Sequence, residues 1–347
     1  MATNGKRALV ILGAGASHDL FATPPTNVHD KFLPPLTKDL FGESSLVRET
    51  LRLFPGAMTL ASSVSIGVAQ GRAFEEILAE LSLDHSSPAA EHFREVALYL
   101  RELFWLVSEN YTNHPVNYDH LTTTLLHQSS GISRVAFVTL NYDLLLDKVL
   151  QRGFLGQTGE EDSYISKRCI LVKLHGSVDW VRPVRIEDAE WQGENLAMVD
   201  RNVHRMTIRR LDVHQRMHGE MRVHRERNLW DADHLYYPIL SVPLGEYDFA
   251  CFPDHVDALK EFLPGCKNLL SIGFSAKDSD LLTLLAGQLS SLSTFCFVAF
   301  EGAEEAAERF KDEVPQVEGA ANQLVIPDEF SSFLRTGGLE AFIESCE

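Results

Sequence analysis

Short apolar runs that stop at glycine or at a polar cluster recur along this chain, and they predict a sheet. The first is Ala8 to Leu12, ended by Gly13-Ala14-Gly15-Ala16-Ser17. A run this short, partly β-branched and stopped by glycine, reads as a buried strand feeding a helix. Val135 to Leu140 repeats the arrangement and ends in Asn141-Tyr142-Asp143, with a helical pattern from Leu144 to Leu150. Cys169 to Leu174 ends in His175-Gly176. Asn268 to Ile272 ends in Gly273-Phe274-Ser275, with Asp278 and Asp280 ahead of a helix that starts near Leu281. Thr294 to Phe300, followed by Glu301-Gly302, and Gln323 to Ile326 complete the set. Strands alternating with helices imply an α/β fold with a doubly wound, mostly parallel sheet. Polar residues at several strand ends are the pattern of a shared crevice.

Between the first two strands the period changes. Phe21 to Phe41 contains Pro24-Pro25 and Pro34-Pro35 and reads as loop to about Leu36, long enough for a lid or binding loop. Helical spacing follows: Phe74, Ile77, Leu78 and Leu81 share one face, and so do Phe93, Val96, Leu100, Leu103 and Val107. Residues 45–130 therefore read as an inserted helical module whose apolar stripe is core, and residues 1–44 with 131–347 as the α/β core.

Within that core the rhythm lapses again, over 183–235. Eight arginines lie between Arg201 and Arg227 (201, 205, 209, 210, 216, 222, 225 and 227), against Asp212, Glu220 and Glu226, with Met206, Met217 and Met221 interleaved. This variable basic insert is either an amphipathic helix that docks on an acidic patch or a solvated excursion. His214 and His218 are four apart, but no cysteine or carboxylate cluster completes a zinc site, so no metal is expected.

Composition narrows the function. A hydrophobic content of 45% and a charged content of 23% are those of an ordinary globular chain. Acids outnumber bases by 49 to 31, and the net charge of −18 repels nucleic acid and anionic membrane, so neither is an expected partner. The five cysteines are scattered, with no CxxC pair, which fits a reducing compartment and excludes a four-cysteine zinc module. No apolar segment reaches about 18 residues and no signal h-region precedes the first strand, so a soluble cytoplasmic protein is expected.

The turn at 13–17 consists of residues with small side chains, so backbone can approach a ligand closely. Amides at a helix start, with the helix dipole, suit a pyrophosphate. The full dinucleotide fingerprint has a third glycine where His18 stands, so by itself this segment reads as a tight strand-to-helix turn more often than as a nucleotide contact.

In their order and gaps, GAGAS at 13–17, TLNYD at 139–143, LHG at 174–176 and GFS at 273–275 resemble the sirtuin family. The resemblance covers roughly 7–20, 133–182 and 236–330 and implies a Rossmann-like sirtuin core. Three departures stand beside it. No cysteine follows the His-Gly motif, where deacetylating sirtuins hold zinc. HDLFATPPT replaces their Pro-Asp-Phe-Arg, and Leu140 replaces the glutamine of their Thr-Gln-Asn-Ile-Asp. With these losses, and with PPLTKDLF at 34–41 and IGFSAKDSDL at 272–281, the chain resembles the sirtuin-like branch of bacterial antiphage defence proteins, which hydrolyse NAD.

That resemblance implies NAD as substrate, cleaved at the nicotinamide glycosidic bond to nicotinamide and ADP-ribose without a metal. Asn141 and His175 are the catalytic candidates: Asn141 to hold the attacking water or ribose hydroxyls, His175 to accept a proton. Amides of Ala14, Gly15, Ala16 and Ser17 would face the phosphates. Thr139 and Asp143 would support the same pocket, Asp143 by orienting Asn141 or bonding backbone. Gly273 and Ser275 would lie against the adenosine ribose, with Glu301 near its hydroxyls.

Plainer roles remain open for each. Asn141 or Ser17 could cap a helix, His175 could be a core histidine, Asp143 a first-turn acid, and Asp280 a cap or surface acid. The resemblance also implies a regulated homo-oligomer, with a partner such as a HerA-type ATPase or an Argonaute. Two alternatives stand beside hydrolysis: an NAD- or ADP-ribose-binding subunit without turnover, and a protein lysine deacylase, which the missing zinc lobe disfavours.

Overall fold

The computed structural model describes residues 5–20, 32–72, 76–77, 80, 88–110, 116–127, 131–155, 164–184, 221–229, 235–240 and 249–346. The first half of the chain forms β1 (Lys6–Leu12), α1 (Ala14–His18), α2 (Ser45–Leu51), α3 (Pro55–Ala69), α4 (Pro88–Asn110), α5 (Val116–Leu126), β2 (Ile132–Thr139) and α6 (Leu145–Gly153). Then come β3 (Cys169–Lys173), β4 (Gly176–Val184), β5 (Arg222–Val223), β6 (Leu235–Leu240), α7 (Pro253–Phe262), β7 (Asn268–Ile272) and α8 (Ser279–Gln288). The last elements are β8 (Thr294–Val298), α9 (Ala303–Glu313), β9 (Asn322–Ile326), α10 (Phe330–Arg335) and α11 (Gly338–Ser345).

These elements fall into two compact units, the first made of Met1–Leu36, Val107–His175 and Asp248–Glu347, the second of Thr37–Leu106 and Gly176–Tyr247. The helical stretch read at 45–130 is divided between them, with α2, α3 and α4 as far as Leu106 in the second and α5 in the first.

The first unit is built on a six-stranded sheet in the order β3-β2-β1-β7-β8-β9. All of its pairings are parallel, so the doubly wound α/β expectation holds. Ala8 to Leu12 are all fully buried although they alternate between the two faces of β1, so both faces of this strand are covered. β3, β7 and β8 are buried throughout in the same way and lack a polar alternation, whereas β9 at the sheet edge is only partly buried. The helices, by contrast, show one buried stripe. On α6 it is Leu145, Leu146, Val149 and Leu150, and on α9 it is Ala303, Ala306, Ala307 and Phe310, whose ring lies 5.5 Å from that of Phe295 on β8.

The second unit contains a three-stranded antiparallel sheet, β5-β4-β6, which the hydrophobic pattern did not reveal. Burial explains the omission. Ser177 and Asp179 are polar yet withdrawn from solvent on β4, the Ser177 hydroxyl donating to Asp179 Oδ1 at 2.6 Å, and Pro183 lies within the strand. Arg101 on α4 is buried in the same unit. Its guanidinium donates to the carbonyls of Val178 (3.0 Å), Arg227 (3.1 Å) and Glu226 (2.7 Å) and lies 4.6 Å from the Trp105 ring centroid. Satisfying its donors in this way is what makes a buried guanidinium tolerable.

Of the apolar stripe read on these helices, Ile77, Val96, Leu100, Leu103 and Val107 are buried. Phe74, Leu78, Leu81 and the Phe93 side chain lie outside the described residues. So do 21–31 of the expected lid loop and 185–220 of the basic insert, including Arg201 to Arg216, His214 and His218.

Candidate functional site

From β1 the chain winds outward through β2 to β3, then returns to lay β7 against the other edge of β1. The carboxyl edge at such a reversal is the usual ligand position of parallel sheets. Register decides what meets there. Lys173, Thr139, Leu12, Ile272 and Val298 are successive partners across the sheet, so the four polar clusters that follow these strands stand side by side.

The two glycine turns pack backbone on backbone. Gly13 N donates to Ile272 O (3.0 Å) and Gly15 N to Gly273 O (3.2 Å). A Cβ on Gly13 would lie 2.3 Å from Gly273 O, so the first glycine is required by the neighbouring turn whatever ligand binds. This narrows the expected phosphate cradle. The Gly15 amide is bonded to Gly273, and the Ala16 amide donates to Gly13 O at 3.0 Å, which leaves Ala14 and Ser17 as the amides at the helix start without such a bond among the described residues.

Asn141 follows β2 and is anchored on three sides. Its backbone N–H donates to Thr139 Oγ1 (3.1 Å), whose own hydroxyl donates to Leu12 O (3.2 Å). Its side-chain Nδ2 donates to Gly13 O and to Ser17 Oγ, both at 2.9 Å. Ser17 Oγ in turn is 2.7 Å from the buried Tyr118 hydroxyl of α5. Burial, together with the Asp143 charge, raises the Tyr118 pKa well above its usual value, so this hydroxyl keeps its proton.

Both amide protons of Asn141 are thus engaged, and Oδ1 is the atom that remains to accept a hydrogen bond. The helix-cap reading of Asn141 does not hold, because the N-cap of α6 is Leu144 and the side chain that accepts from the first amide of the helix is that of Asp143. Nor does Ser17 cap α1, whose N-cap is Gly13.

Of the two roles read for Asp143, bonding backbone is the one its contacts show. Its Oδ1 accepts from the Leu145 N–H at 3.0 Å, so it serves the start of α6; the side-chain bonds of Asn141 go to Gly13 and Ser17 instead. Its Oδ2 is buried without a hydrogen-bond partner, and burial raises the carboxyl pKa against the opposing charge of Lys173. Lys173, the last residue of β3, is fully buried. Its ammonium donates to the Asp143 carbonyl and to Asp147 Oδ2 (2.9 Å), while Tyr164 donates to Asp147 Oδ1 (3.1 Å).

His175 stands just past β3 with its Nε2 2.6 Å from Asp278 Oδ2. Asp278 is the N-cap of α8, its Oδ1 accepting from the Leu281 N–H at 2.7 Å. Burial by itself would push the Asp278 carboxyl up, but the hydrogen bond and charge of His175, with the Leu281 amide, outweigh it and hold the pKa below the usual carboxylate range. Asp280, in the first turn of α8, is exposed. Ser275 and Glu301 are exposed near the ends of β7 and β8, and Gly273 forms the turn after β7.

Sequence reasoning missed Tyr118, the Lys173–Asp147 pair and the partnership of Asp278. Only the last had a local signal, an acid just ahead of a helix. Among the described residues, no group of three His, Cys, Asp or Glu could hold a metal ion, and no helix is long and apolar enough to cross a membrane.

Residues 135–314 match the family model of the SIR2-like domain, more than half of the chain. The chain belongs to the SIR2-like family. The matched stretch contains Asn141, Asp143, His175 and Asp278, while the β1 turn and Tyr118 lie before it. A search of curated proteins finds no match.

Among solved structures, a sirtuin described in work on sirtuin substrate affinity is 14% identical, with a TM-score of 0.43, over 96% of this chain and 93% of that one. A Sir2 homologue mutant in complex with ADP-ribose is 11% identical (TM-score 0.38; 98% and 92% covered). A Sir2 homologue in complex with NAD is also 11% identical (TM-score 0.37; 98% and 89%).

Proposed function

We propose that this SIR2-like protein hydrolyses NAD at the nicotinamide glycosidic bond, releasing nicotinamide and ADP-ribose. The observation that carries the reading is the fixing of Asn141. With both Nδ2 protons committed to Gly13 O and Ser17 Oγ, its Oδ1 can only accept, which suits it to receive a hydrogen bond from a water or a ribose hydroxyl. His175 follows the adjacent strand in the same sheet and supplies an imidazole, the side chain that ordinarily exchanges protons near neutral pH.

In this scheme water oxygen bonds to the ribosyl C1′ as the C1′–nitrogen bond breaks. Neutral nicotinamide leaves with the bonding electron pair, and the water proton passes to His175 and then to solvent. Asn141 lowers the barrier by orienting the reactants, not by exchanging protons. The Ala14 and Ser17 amides are the backbone donors left for a phosphate, and Gly273, Ser275 and Glu301 are assigned to the adenosine side. A role as effector of an antiphage defence system, as a homo-oligomer under the control of a partner protein, is supported by the motif resemblance at 34–41 and 272–281.

The test is incubation of the purified protein with NAD at neutral pH, without metal or peptide, with nicotinamide and ADP-ribose followed by chromatography. Turnover that disappears in Asn141→Ala, with an unchanged circular dichroism spectrum, is the expected result. NAD-dependent thermal stabilisation without turnover would favour a binding subunit, and nicotinamide release only with an acetylated peptide would favour a deacylase.

A further inference from the structure

We infer that Lys173 is a positioning residue for Asn141: its buried ammonium holds the loop between β2 and α6 by the Asp143 carbonyl and so sets where Asn141 Oδ1 stands. This rests on the hydrolysis proposed above. The loop runs from Leu140 to Leu144. Leu140 N donates to Leu12 O (3.2 Å), Asn141 N to Thr139 Oγ1 (3.1 Å) and Leu144 N to Ser108 Oγ (3.0 Å). The carbonyl of Asp143, two residues past Asn141, is bound differently. Among the described residues its donor is a side chain from the neighbouring strand, Lys173 Nζ.

Stability does not account for a lysine here. Lys173 and its partner Asp147 are both buried, so both charges have left water. Apolar side chains of similar volume often serve a core as well as such a pair or better, because desolvation offsets the attraction. A methionine at 173 with a leucine at 147 would fill the space, but neither could donate to the Asp143 carbonyl. The ammonium does so from a fixed seat: Asp147 Oδ2 accepts from it at 2.9 Å, and Asp147 Oδ1 is held by the Tyr164 hydroxyl at 3.1 Å. The backbone around Asn141 is thereby held by Thr139 on one side and, through Asp143, by Lys173 on the other. Without Lys173 the Asp143 carbonyl is a buried acceptor that has lost its donor, and the loop shifts to find another. A misplacement of about 1 Å at a reacting group can cost about 10²-fold in rate.

Two variants separate positioning from stability. Lys173→Met with Asp147→Leu removes both charges and the donor together. Asp147→Asn removes the ionic partner but keeps the ammonium and its bond to the Asp143 carbonyl. Each is compared with wild type by its urea midpoint and by kcat and KM for nicotinamide release from NAD. Nitrogen–proton NMR of the side-chain amides follows Asn141 itself, its signals assigned by their loss in Asn141→Ala.

The double variant should recover most of the urea midpoint lost in Lys173→Met, yet show displaced Asn141 signals and a kcat lower by about 10- to 100-fold with KM within about threefold. Asp147→Asn should have the lower midpoint of the two, with Asn141 signals near their wild-type positions and kcat within about threefold of wild type. A double variant with wild-type kcat, or with unmoved Asn141 signals, overturns the inference. So does a double variant that does not fold, because the ion pair would then be present for stability. An Asp147→Asn kcat as low as that of the double overturns it too. A wild type without turnover overturns the hydrolysis reading instead, and the amide signals still decide whether Lys173 positions Asn141.

Discussion

A Cβ on Gly273 would lie 2.3 Å from the amide nitrogen of Ala16, and Gly273 itself sits at φ +63°. Steric contact and backbone conformation therefore both demand glycine at the junction of the two turns. Gly71 offers a control, with φ +80° but, among the described residues, nothing within 4 Å of its would-be Cβ. Gly71→Ala should cost only the left-handed strain, about 1–2 kcal/mol. Gly273→Ala should cost about 1–3 kcal/mol more, because neither backbone can retreat. Urea unfolding of the two variants measures the difference.

Lys173 and Asp147 form a buried ion pair at 2.9 Å. Removing one partner leaves the other charge in the core, so Lys173→Met should destabilise by about 3–5 kcal/mol. Combining it with Asp147→Leu should recover a large part of that loss. Equilibrium unfolding of both singles and the double gives the coupling, and simple additivity would refute a paired role.

Turnover should fall in order of distance from Asn141 Oδ1. Asn141→Ala removes the acceptor and should abolish nicotinamide release. Ser17→Ala removes one of its two side-chain anchors, worth about 1 kcal/mol, and should lower kcat about five- to tenfold. Tyr118→Phe, one hydrogen bond further out, should lower it less. A Tyr118→Phe defect larger than that of Ser17→Ala would contradict the order.

Asp278 predicts a pH dependence with a definite sign. Its folded-state pKa is depressed, so the folded state binds its proton less readily than the unfolded chain does. The stabilisation is complete above the unfolded value of about 3.9 and is lost as pH falls through the lower folded value. Wild type should therefore exceed Asp278→Asn in stability at neutral pH, and the gap should close on acidification. Denaturant midpoints measured across that range check it; a gap that widened toward acid would mean that the assigned direction is wrong.

The strands and their polar ends were legible in the chain. A strand buried on both faces must be a continuous apolar run, and parallel pairing aligns the ends of such runs, so GAGAS, TLNYD, LHG and GFS could be placed in one crevice before any contact was known. The antiparallel sheet was not legible. Ser177 and Asp179 are buried through hydrogen bonding, and apolar periodicity does not record burial of that kind.

The chain thus specified which residues stand at the strand ends, because that depends on local burial. The folded structure alone decided what each of them touches. Asn141 reaches Ser17 across 124 positions, Ser17 reaches Tyr118 across 101, and His175 reaches Asp278 across 103. Hydrogen bonds between segments so far apart depend on sheet register and helix placement, and these settle only when the whole core packs.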